Sequence, residues 1–350
     1  MHAPAIRLNA RRSIGPASPT FVVAELGQNH NGRLEIAEQL VDAAAWAGAD
    51  AVKLVKRDLP SELTKASRNL RYDSAHSFGE TYGEHRRALE LSLESHLALA
   101  ARARAHGLLF VVTVCDVVSA HEFAAAEVDA FKIASRDLNN LPLVRFVAEL
   151  QRPLILSTGM STWSEIDAAV RVAAEVRCPT AVLQCTSLYP TPDEQAHLRS
   201  IETLRRRYDG VVGFSDHTQG TAIATAAVAL GASIIEKHLT LDRTMKGTDH
   251  ACSAEPEELR TLIEQIRRVE RALGSAEKPA IPATGATRKK LGRSLVTVRP
   301  LTAGTVLDES MFTLKSPGDG IAWTEREKIV GRRLLRDIDA DETIYHADVQ

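Results

Sequence analysis

Short apolar runs alternate with amphipathic segments over most of the chain. Eight runs of four to six residues, rich in Val, Ile, Leu, Ala and Phe, have the length and composition of strands buried on both faces. The segments between them repeat apolar residues at helical spacing, a pattern typical of parallel strands joined by crossover helices. The predicted strands are 21–24, 51–54, 108–113, 130–133, 154–157, 181–184, 211–214 and 234–237. The predicted helices are 34–47, 93–105, 119–125, 141–150, 162–176, 194–208, 221–230 and 256–273.

The number of strand–helix units predicts the architecture. Eight units within about 250 residues match a closed (β/α)8 TIM barrel of the α/β class better than an open doubly wound sheet. No GxGxxG turn follows the first strand, so a dinucleotide site is not indicated. We therefore predict a barrel domain at 1–274, in which residues 1–19 form a hairpin or cap.

Composition changes after Gly274. Residues 275–290 are rich in Ala, Pro, Gly, Thr and Lys, which predicts a linker. Residues 291–350 contain short extended pieces at 295–298, 313–315 and 333–335, separated by turn sequences. These features predict a small, mostly β second domain.

The overall composition argues against several classes of protein. The 43 basic and 45 acidic residues give a net charge of −2 without long blocks of one sign, so no nucleic-acid partner is indicated. We predict no membrane association and no secretion, because neither a spanning apolar stretch nor an N-terminal signal core is evident. The four cysteines lack CxxC spacing and lie in or beside apolar runs, which predicts reduced thiols and a cytoplasmic location.

Two histidines occupy matching positions after the last two predicted strands. His217 lies in FSDHT at 214–218, and His238 lies in EKHLT at 236–240. Because neutral imidazole binds Mn, Fe, Zn and Co ions and neighbouring barrel strands end at one mouth, the pair predicts a metal site. A single histidine is more often structural, but the duplication favours ligation. The adjacent carboxylates Asp216 and Glu236 predict orientation of the ligands or proton chemistry.

Further polar residues follow the other strands at the same predicted mouth. Glu25 ends the first strand, where an acid favours proton transfer or contact with a substrate hydroxyl. Lys132 interrupts a strand predicted to be buried on both faces, which favours a functional role. The donors that could together bind a phosphate or carboxylate are Lys53, Thr113, Lys132, Ser135, Ser157 and Ser215. Any single serine could instead be a helix cap, and residues 56–58 could be a solvated turn.

Read in order, these motifs resemble the N-acetylneuraminate (sialic acid) synthase family over nearly the whole chain. The matching pieces are AELGQNHNG at 24–32, AVK at 51–53, KIAS at 132–135, STGM at 157–160, CTSLYP at 185–190, FSDHT at 214–218, EKH at 236–238 and DH at 249–250. The tail, from RSL at 293–295 to KSPGDGI at 315–321, resembles the antifreeze-like (SAF) domain that ends these synthases.

The resemblance implies a transferase that condenses phosphoenolpyruvate with an N-acyl hexosamine, such as N-acetylmannosamine or a 2,4-diacetamido sugar, to give a nonulosonic acid and phosphate. It implies that His217 and His238 bind a divalent ion, usually Mn²⁺ with Mg²⁺ or Co²⁺ as alternatives. Glu25, Lys53 and Lys132 would be catalytic. The implied phosphoenolpyruvate contacts are Lys53, Thr113, Lys132, Ser135, Ser157, Ser187 and Ser215. The implied sugar contacts are Glu25, Tyr189, Glu236, Asp249 and Arg293, of which Arg293 would reach a neighbouring subunit's barrel in a domain-exchanged homodimer.

Four positions depart from the family pattern. They are Ser187 in place of Asn, Thr248 in place of Pro, Val55 in place of Gln, and His76 in place of the Asn found in a related subgroup. These departures leave the acceptor sugar open. Two other functions compete with the synthase: a different metal-dependent phosphoenolpyruvate synthase or aldolase, and a non-catalytic sugar- or ice-binding protein.

Overall fold

The first part of the chain is built around eight parallel strands that close into a barrel. A two-residue hairpin precedes them, made of β1 (Ile6–Arg7) and β2 (Ser13–Ile14). The barrel strands are β3 (Phe21–Gly27), β4 (Ala51–Lys56), β5 (Leu109–Val114), β6 (Ala130–Ile133), β7 (Leu154–Ser157), β8 (Thr180–Cys185), β9 (Val211–Asp216) and β10 (Ile234–His238). They pair in chain order, and β10 closes the barrel against β3. The predicted TIM barrel is confirmed.

Eleven helices connect or follow the strands in the described part of this unit. They are α1 (Leu34–Ala47), α2 (Leu59–Glu62), α3 (Lys65–Asn69), α4 (Tyr82–Ala88), α5 (Leu93–Ala105), α6 (Val117–Glu122), α7 (Leu141–Glu149), α8 (Trp163–Glu175), α9 (Ser200–Arg207), α10 (Ala222–Ala229) and α11 (Pro256–Leu273). The helices α2, α3 and α4 were not predicted. They occupy the connection between β4 and α5, where the apolar spacing is too short and irregular to indicate a helix.

The strands bury two separate apolar layers because successive side chains point to opposite faces. One set packs outward against the helices, as Val22, Val52 and Val112 do. The other set fills the lower half of the barrel interior, as Phe21 and Ile234 do. Ile6 and Ile14 of the hairpin belong to this inner cluster, so β1 and β2 close the end of the barrel at which the strands begin.

Gly213 occupies an inward position of β9 where a side chain has no room. A Cβ there would lie 2.6 Å from the Ile234 carbonyl oxygen and 2.6 Å from Leu183 Cδ2. The close approach of β10 to β9 therefore depends on the missing side chain at this position.

The second unit, residues 275–350, is a separate small fold. It contains α12 (Gly285–Leu291), the antiparallel pair β11 (Ser294–Thr297) and β12 (Phe312–Lys315), and α13 (Arg326–Ile329). Its core is apolar and includes Leu295, Leu307 and Ile344. The extended piece predicted at 333–335 forms only isolated bridges. The predicted small β domain is confirmed, while helix α12 lies largely within the segment predicted as a linker.

The structure describes residues 5–10, 12–278 and 281–350. Parts of the predicted N-terminal cap, residues 1–4 and 11, and of the predicted linker, residues 279–280, lie outside this range. Over the described ranges, no helix combines the length and the apolar character needed to cross a bilayer.

Candidate active site

A cavity of about 310 Å³ opens at the end of the barrel where the strands finish. It lies above the apolar inner cluster, because the inward positions change from apolar to polar toward the ends of the strands. All the predicted site residues of the barrel unit line it: Glu25, Lys53, Thr113, Lys132, Ser135, Ser157, Ser187, Tyr189, Ser215, His217, Glu236, His238 and Asp249. Residues from all eight strands or from the loops that follow them thus meet in one place.

Glu236 is the centre of a buried charge network. Its two carboxylate oxygens accept hydrogen bonds from Lys132 Nζ at 2.7 and 2.8 Å, and Ser215 Oγ donates to Oε1 at 2.9 Å. Lys53 Nζ lies 3.6 Å from Oε1. Burial alone would raise the pKa of Glu236, but the ammonium groups of Lys132 and Lys53 hold it well below its usual range.

Lys53 joins this network to Glu25. Its ammonium contacts the Glu25 carboxylate and donates to Thr113 Oγ1 at 3.0 Å. Burial lowers the pKa of Lys53 to about 7, although the Glu236 carboxylate opposes the shift. The second Glu25 oxygen accepts the backbone N–H of Gly27, so this buried carboxylate is held in place in the cavity lining.

The two histidines present their rings to the same cavity, with centroids 5.2 Å apart. His217 Nδ1 donates to the Thr186 carbonyl oxygen at 2.9 Å, which leaves Nε2 as the nitrogen with a free lone pair. His238 Nδ1 is buried and has no hydrogen-bond partner in the described part of the chain. Burial lowers the pKa of His238 to about 3, so its ring is neutral near pH 7.

The pKa of His217 shifts in the other direction. Burial alone would lower it, but the contact with Cys185 Sγ at 3.8 Å and the bond to the Thr186 carbonyl raise it. Among the described residues, no group of three or more His, Cys, Asp and Glu side chains is arranged to hold an ion. An ion bound by the two imidazoles would have to take its other ligands from water or substrate.

Asp216 does not support the histidines, contrary to the prediction. It points away from the cavity and pairs with Lys237 at 2.7 Å, while Oδ1 accepts the N–H and hydroxyl of Thr218 at 2.9 and 2.7 Å. Strand alternation explains the difference: residues 215, 217, 236 and 238 face inward, so Asp216 and Lys237 face outward together. This pair is a structural element of the barrel wall.

The hydroxyl groups differ in how they are engaged. Ser135 Oγ accepts the Gly159 N–H at 2.9 Å and lies 3.5 Å from Cys185 Sγ. Ser157 Oγ is buried without a hydrogen-bond partner among the described residues, which marks it as a donor available to a ligand. Ser187 packs closely on Gly159, where a Cβ would lie 2.6 Å from the serine Oγ.

Tyr189 and Asp249 form one side of the cavity. The Tyr189 ring centroid lies 4.2 Å from that of His217. Asp249 Oδ1 accepts the Thr248 hydroxyl at 2.7 Å and the Gln28 amide at 3.5 Å, while Oδ2 lies 3.9 Å from His238 Nδ1. A proline at position 248 could not donate this hydrogen bond.

Arg293 belongs to the second unit, where its guanidinium donates to Ser316 Oγ at 2.9 Å. Its contact with a neighbouring subunit remains a prediction.

Several cavity residues were not predicted: Gly27, Gln28, Val55, Arg57, Arg86, Ala134, Arg136, Met160 and Cys185. Two of them, Arg57 and Arg136, lie in the loops that follow β4 and β6, the positions at which a barrel carries its site residues. Arg57 is 5% exposed, so residues 56–58 are not simply a solvated turn. For Arg86 the available signal was the TYGE sequence at 81–84, which forms a capping box at the start of α4.

The barrel, its charged mouth and the appended β unit together define a two-domain barrel enzyme. Comparison with known proteins gives the family. Residues 40–278 match the NeuB family model, and residues 292–350 match the SAF domain model. The chain belongs to the NeuB family and is a nonulosonic acid synthase with a C-terminal SAF domain, as predicted. It is a transferase.

Individual relatives match almost the full length. An N-acetylneuraminate-9-phosphate synthase of Mus musculus is 36% identical, and the match covers 97% of this chain and 95% of the relative. An N,N'-diacetyllegionaminic acid synthase of Campylobacter jejuni is 35% identical over 93% of this chain and 98% of the relative. A crystal structure of the sialic acid synthetase of Leptospira borgpetersenii in complex with citrate has a TM-score of 0.72 and 33% identity, covering 82% of this chain and 96% of that one.

Proposed function

We propose that the enzyme condenses phosphoenolpyruvate with an N-acyl hexosamine to give a nonulosonic acid and inorganic phosphate. One observation carries this proposal. Two buried lysines and two imidazoles, whose neutral forms can bind a metal ion, face a single barrel mouth that is lined with hydroxyl donors. The lysines suit an anionic substrate, and the imidazoles suit an ion that activates a carbonyl group.

Phosphoenolpyruvate binds at the deep end of the cavity in this proposal. Glu25 and Glu236 already balance the charges of Lys53 and Lys132, so hydroxyl groups must share in holding the phosphate and carboxylate. Thr113, Ser135, Ser157, Ser187 and Ser215 are the donors in position, and Ser157 Oγ is unpaired within the described chain. The acceptor sugar lies nearer to Tyr189 and Asp249, with its aldehyde beside the histidines.

The reaction forms one carbon–carbon bond and replaces the C2–O bond to phosphate with a C2–O bond to an oxygen from water. The enol C3 of phosphoenolpyruvate attacks the aldehyde carbon, water adds at C2, and the C2–O bond to phosphate breaks to leave the 2-keto acid. Glu25, held by Lys53 and the Gly27 N–H, accepts or supplies the protons that these steps require. A divalent ion held by His217 and His238 would supply Lewis acid polarisation of the aldehyde, with Mn²⁺ as the first choice and Mg²⁺ or Co²⁺ as alternatives.

The metal assignment is tested by replacing the histidines. His217→Ala and His238→Ala should each lower phosphate release by at least about 10²-fold, because Lewis acid stabilisation is worth several kcal/mol. Bound Mn²⁺ should fall in parallel when it is measured by elemental analysis of the purified proteins. His106→Ala is the matched control, since His106 pairs with Asp42 at the protein surface. Near-normal turnover of either site variant in metal-depleted buffer would show that the assignment is wrong.

The acceptor is tested with a panel of N-acetylated and di-N-acetylated hexoses and simple sugar phosphates. Phosphate release that requires an N-acyl hexosamine supports the proposal, whereas release with simple sugar phosphates alone favours a different phosphoenolpyruvate-condensing synthase. The sequence identities to the relatives do not distinguish between the possible acceptor sugars. Relatives at 36% and 35% identity are named for a phosphorylated and an unphosphorylated product.

We also propose a cytoplasmic location. The four cysteines are free and buried, which supports a protein that matures in a reducing compartment. A domain-exchanged homodimer, in which Arg293 serves the partner's barrel, is the last part of the proposal and rests on the family resemblance.

A further inference from the structure

Asp249 lies beside the His238 ring in the lining of the cavity. Its Oδ2 is 3.9 Å from His238 Nδ1, the buried ring nitrogen that has no hydrogen-bond partner among the described residues. This distance is too long for a hydrogen bond, but it is short enough for the carboxylate to act on the ring through its charge. The ring nitrogen that is left to face the cavity is Nε2.

The charge of Asp249 affects which nitrogen of the neutral His238 ring carries the proton. A lone pair on Nδ1 would be repelled by the carboxylate, whereas an N–H group at Nδ1 is attracted to it. With the proton on Nδ1, the lone pair lies on Nε2. His217 has the same arrangement, because its Nδ1 donates to the Thr186 carbonyl oxygen. Asp249 thus has the position of a carboxylate that orients a metal-binding histidine.

The orientation of the Asp249 carboxylate depends on Thr248 and Gln28. Two guanidinium nitrogens of Arg57 donate to Gln28 Oε1 at 3.5 Å, which directs the Gln28 NH2 group the other way. This group donates to Thr248 Oγ1 at 3.3 Å and to Asp249 Oδ1 at 3.5 Å. Because Thr248 Oγ1 accepts from Gln28, its own hydrogen is donated to Asp249 Oδ1 at 2.7 Å. Oδ1 is therefore engaged, and Oδ2 is the oxygen that faces His238.

We infer that Thr248 is a positioning residue for the metal site: its hydroxyl holds Asp249 in the orientation that keeps the proton of His238 on Nδ1. This inference rests on the metal assignment of the proposed function, in which His217 and His238 bind a divalent ion. Asp249 acts through His238 and is not a third ligand. Among the described residues, no three His, Cys, Asp and Glu side chains are arranged to hold an ion.

The test titrates Mn²⁺ into the metal-free enzyme without substrates and follows the free ion by electron paramagnetic resonance. Thr248→Val removes the hydroxyl at nearly constant shape. It should weaken Mn²⁺ binding about 10-fold, the lower end of the range for groups that orient metal ligands. Thr248→Ser keeps the hydroxyl and should bind Mn²⁺ as tightly as the unmodified enzyme. Because no sugar is present, a contact between Asp249 and the sugar does not affect this measurement.

Asp249→Asn tests the orientation directly. The donors Thr248 and Gln28 should keep the amide oxygen at the position of Oδ1, so the NH2 group faces His238 Nδ1. A donor at this place favours the proton on Nε2, and Mn²⁺ binding should fall by about 100-fold. Adding Thr248→Val should cause no further loss, because the amide is then free to turn its oxygen toward His238. The two effects should therefore not be additive.

Thr244→Val is the matched control, because Thr244 donates to the Asp242 carboxylate at 2.6 Å on the exposed part of the same loop. It should bind Mn²⁺ as the unmodified enzyme does. Equal Mn²⁺ affinity of Thr248→Val and the unmodified enzyme would overturn the inference alone. A loss in Thr248→Ser as large as that in Thr248→Val would also overturn it. If the unmodified enzyme binds no Mn²⁺, the metal assignment of the proposed function is wrong, and the inference with it.

Discussion

Neighbouring residues on β10 contribute to different properties of the protein. Glu236 faces the cavity and pairs with Lys132, whereas Lys237 faces outward and pairs with Asp216. Both pairs are buried ion pairs of similar length. The first pair lies in the candidate active site and the second lies in the barrel wall. The same substitution should therefore have different effects at Lys132 and at Lys237.

Lys132→Met should mainly impair catalysis. The substitution removes an ammonium group that makes two charge-assisted hydrogen bonds beside the proposed phosphoenolpyruvate site, and kcat/KM for phosphoenolpyruvate should fall at least about 10²-fold. Lys53 still lies 3.6 Å from Glu236, so the folded state retains a partner for that carboxylate. Steady-state phosphate release measured on protein with native circular dichroism checks this outcome.

Lys237→Met is the matched control and should mainly impair stability. Unfolding should cost about 3–5 kcal/mol less in urea titrations, because Asp216 is left as an unpaired buried charge. Adding Asp216→Asn should restore part of this loss, since the amide oxygen can still accept from Thr218. A rise in KM for phosphoenolpyruvate as large as that of Lys132→Met would contradict the division into an inner and an outer pair.

At the scale of elements, β9 and β10 meet more closely than ordinary side chains allow. Gly213→Ala should lower the free energy of unfolding by about 1–3 kcal/mol, because the added methyl group meets the Ile234 carbonyl and the Leu183 side chain. Gly210→Ala, next to the start of the same strand, is the control. The nearest atom to its Cβ would be the Thr180 carbonyl oxygen at 3.6 Å, so the change should stay within about 0.5 kcal/mol. Equal effects of the two substitutions in thermal melts would argue against the close packing.

The sequence predicted the elements better than the directions of their side chains. Strands such as β6 and β7 were predicted with their observed ends, because buried parallel strands are continuous apolar runs bounded by polar residues. The role predicted for Asp216 was wrong because it rested on the closeness of Asp216 to His217 along the chain. The two-residue period of a strand shows that the two side chains point to opposite faces.

The short helices between β4 and α5 could not be predicted from the sequence. Arg86 lines the cavity from α4, a helix of seven residues. Its position depends on tertiary packing of the segment over the barrel mouth, which no local pattern expresses. Arg57 directly follows the end of β4, and its burial depends on that same packing.

At the scale of the whole molecule, the proposed domain exchange makes two subunits necessary for one site. Arg293→Ala and Glu25→Gln should each have low activity alone. Co-expression with two affinity tags should yield a mixed dimer that regains activity, because one of its two sites combines an intact barrel with an intact Arg293. Phosphate release by the doubly purified dimer is the measurement. If the activity of the mixed dimer does not exceed that of either parent variant, Arg293 acts in the barrel of its own subunit.

The hairpin that closes the lower end of the barrel affects how protons reach the buried charged groups. Ile6 and Ile14 lie against an interior with an apolar lower half, so the buried lysines and glutamates have no polar route downward through the described barrel interior. The open path for protons and water molecules to these groups is the mouth, where we propose that the substrates bind. If the proposed substrates cover that mouth, they also restrict proton exchange with solvent until a product departs. Glu25 and Lys53, which are buried and in contact, are then the groups between which a proton can move inside the site.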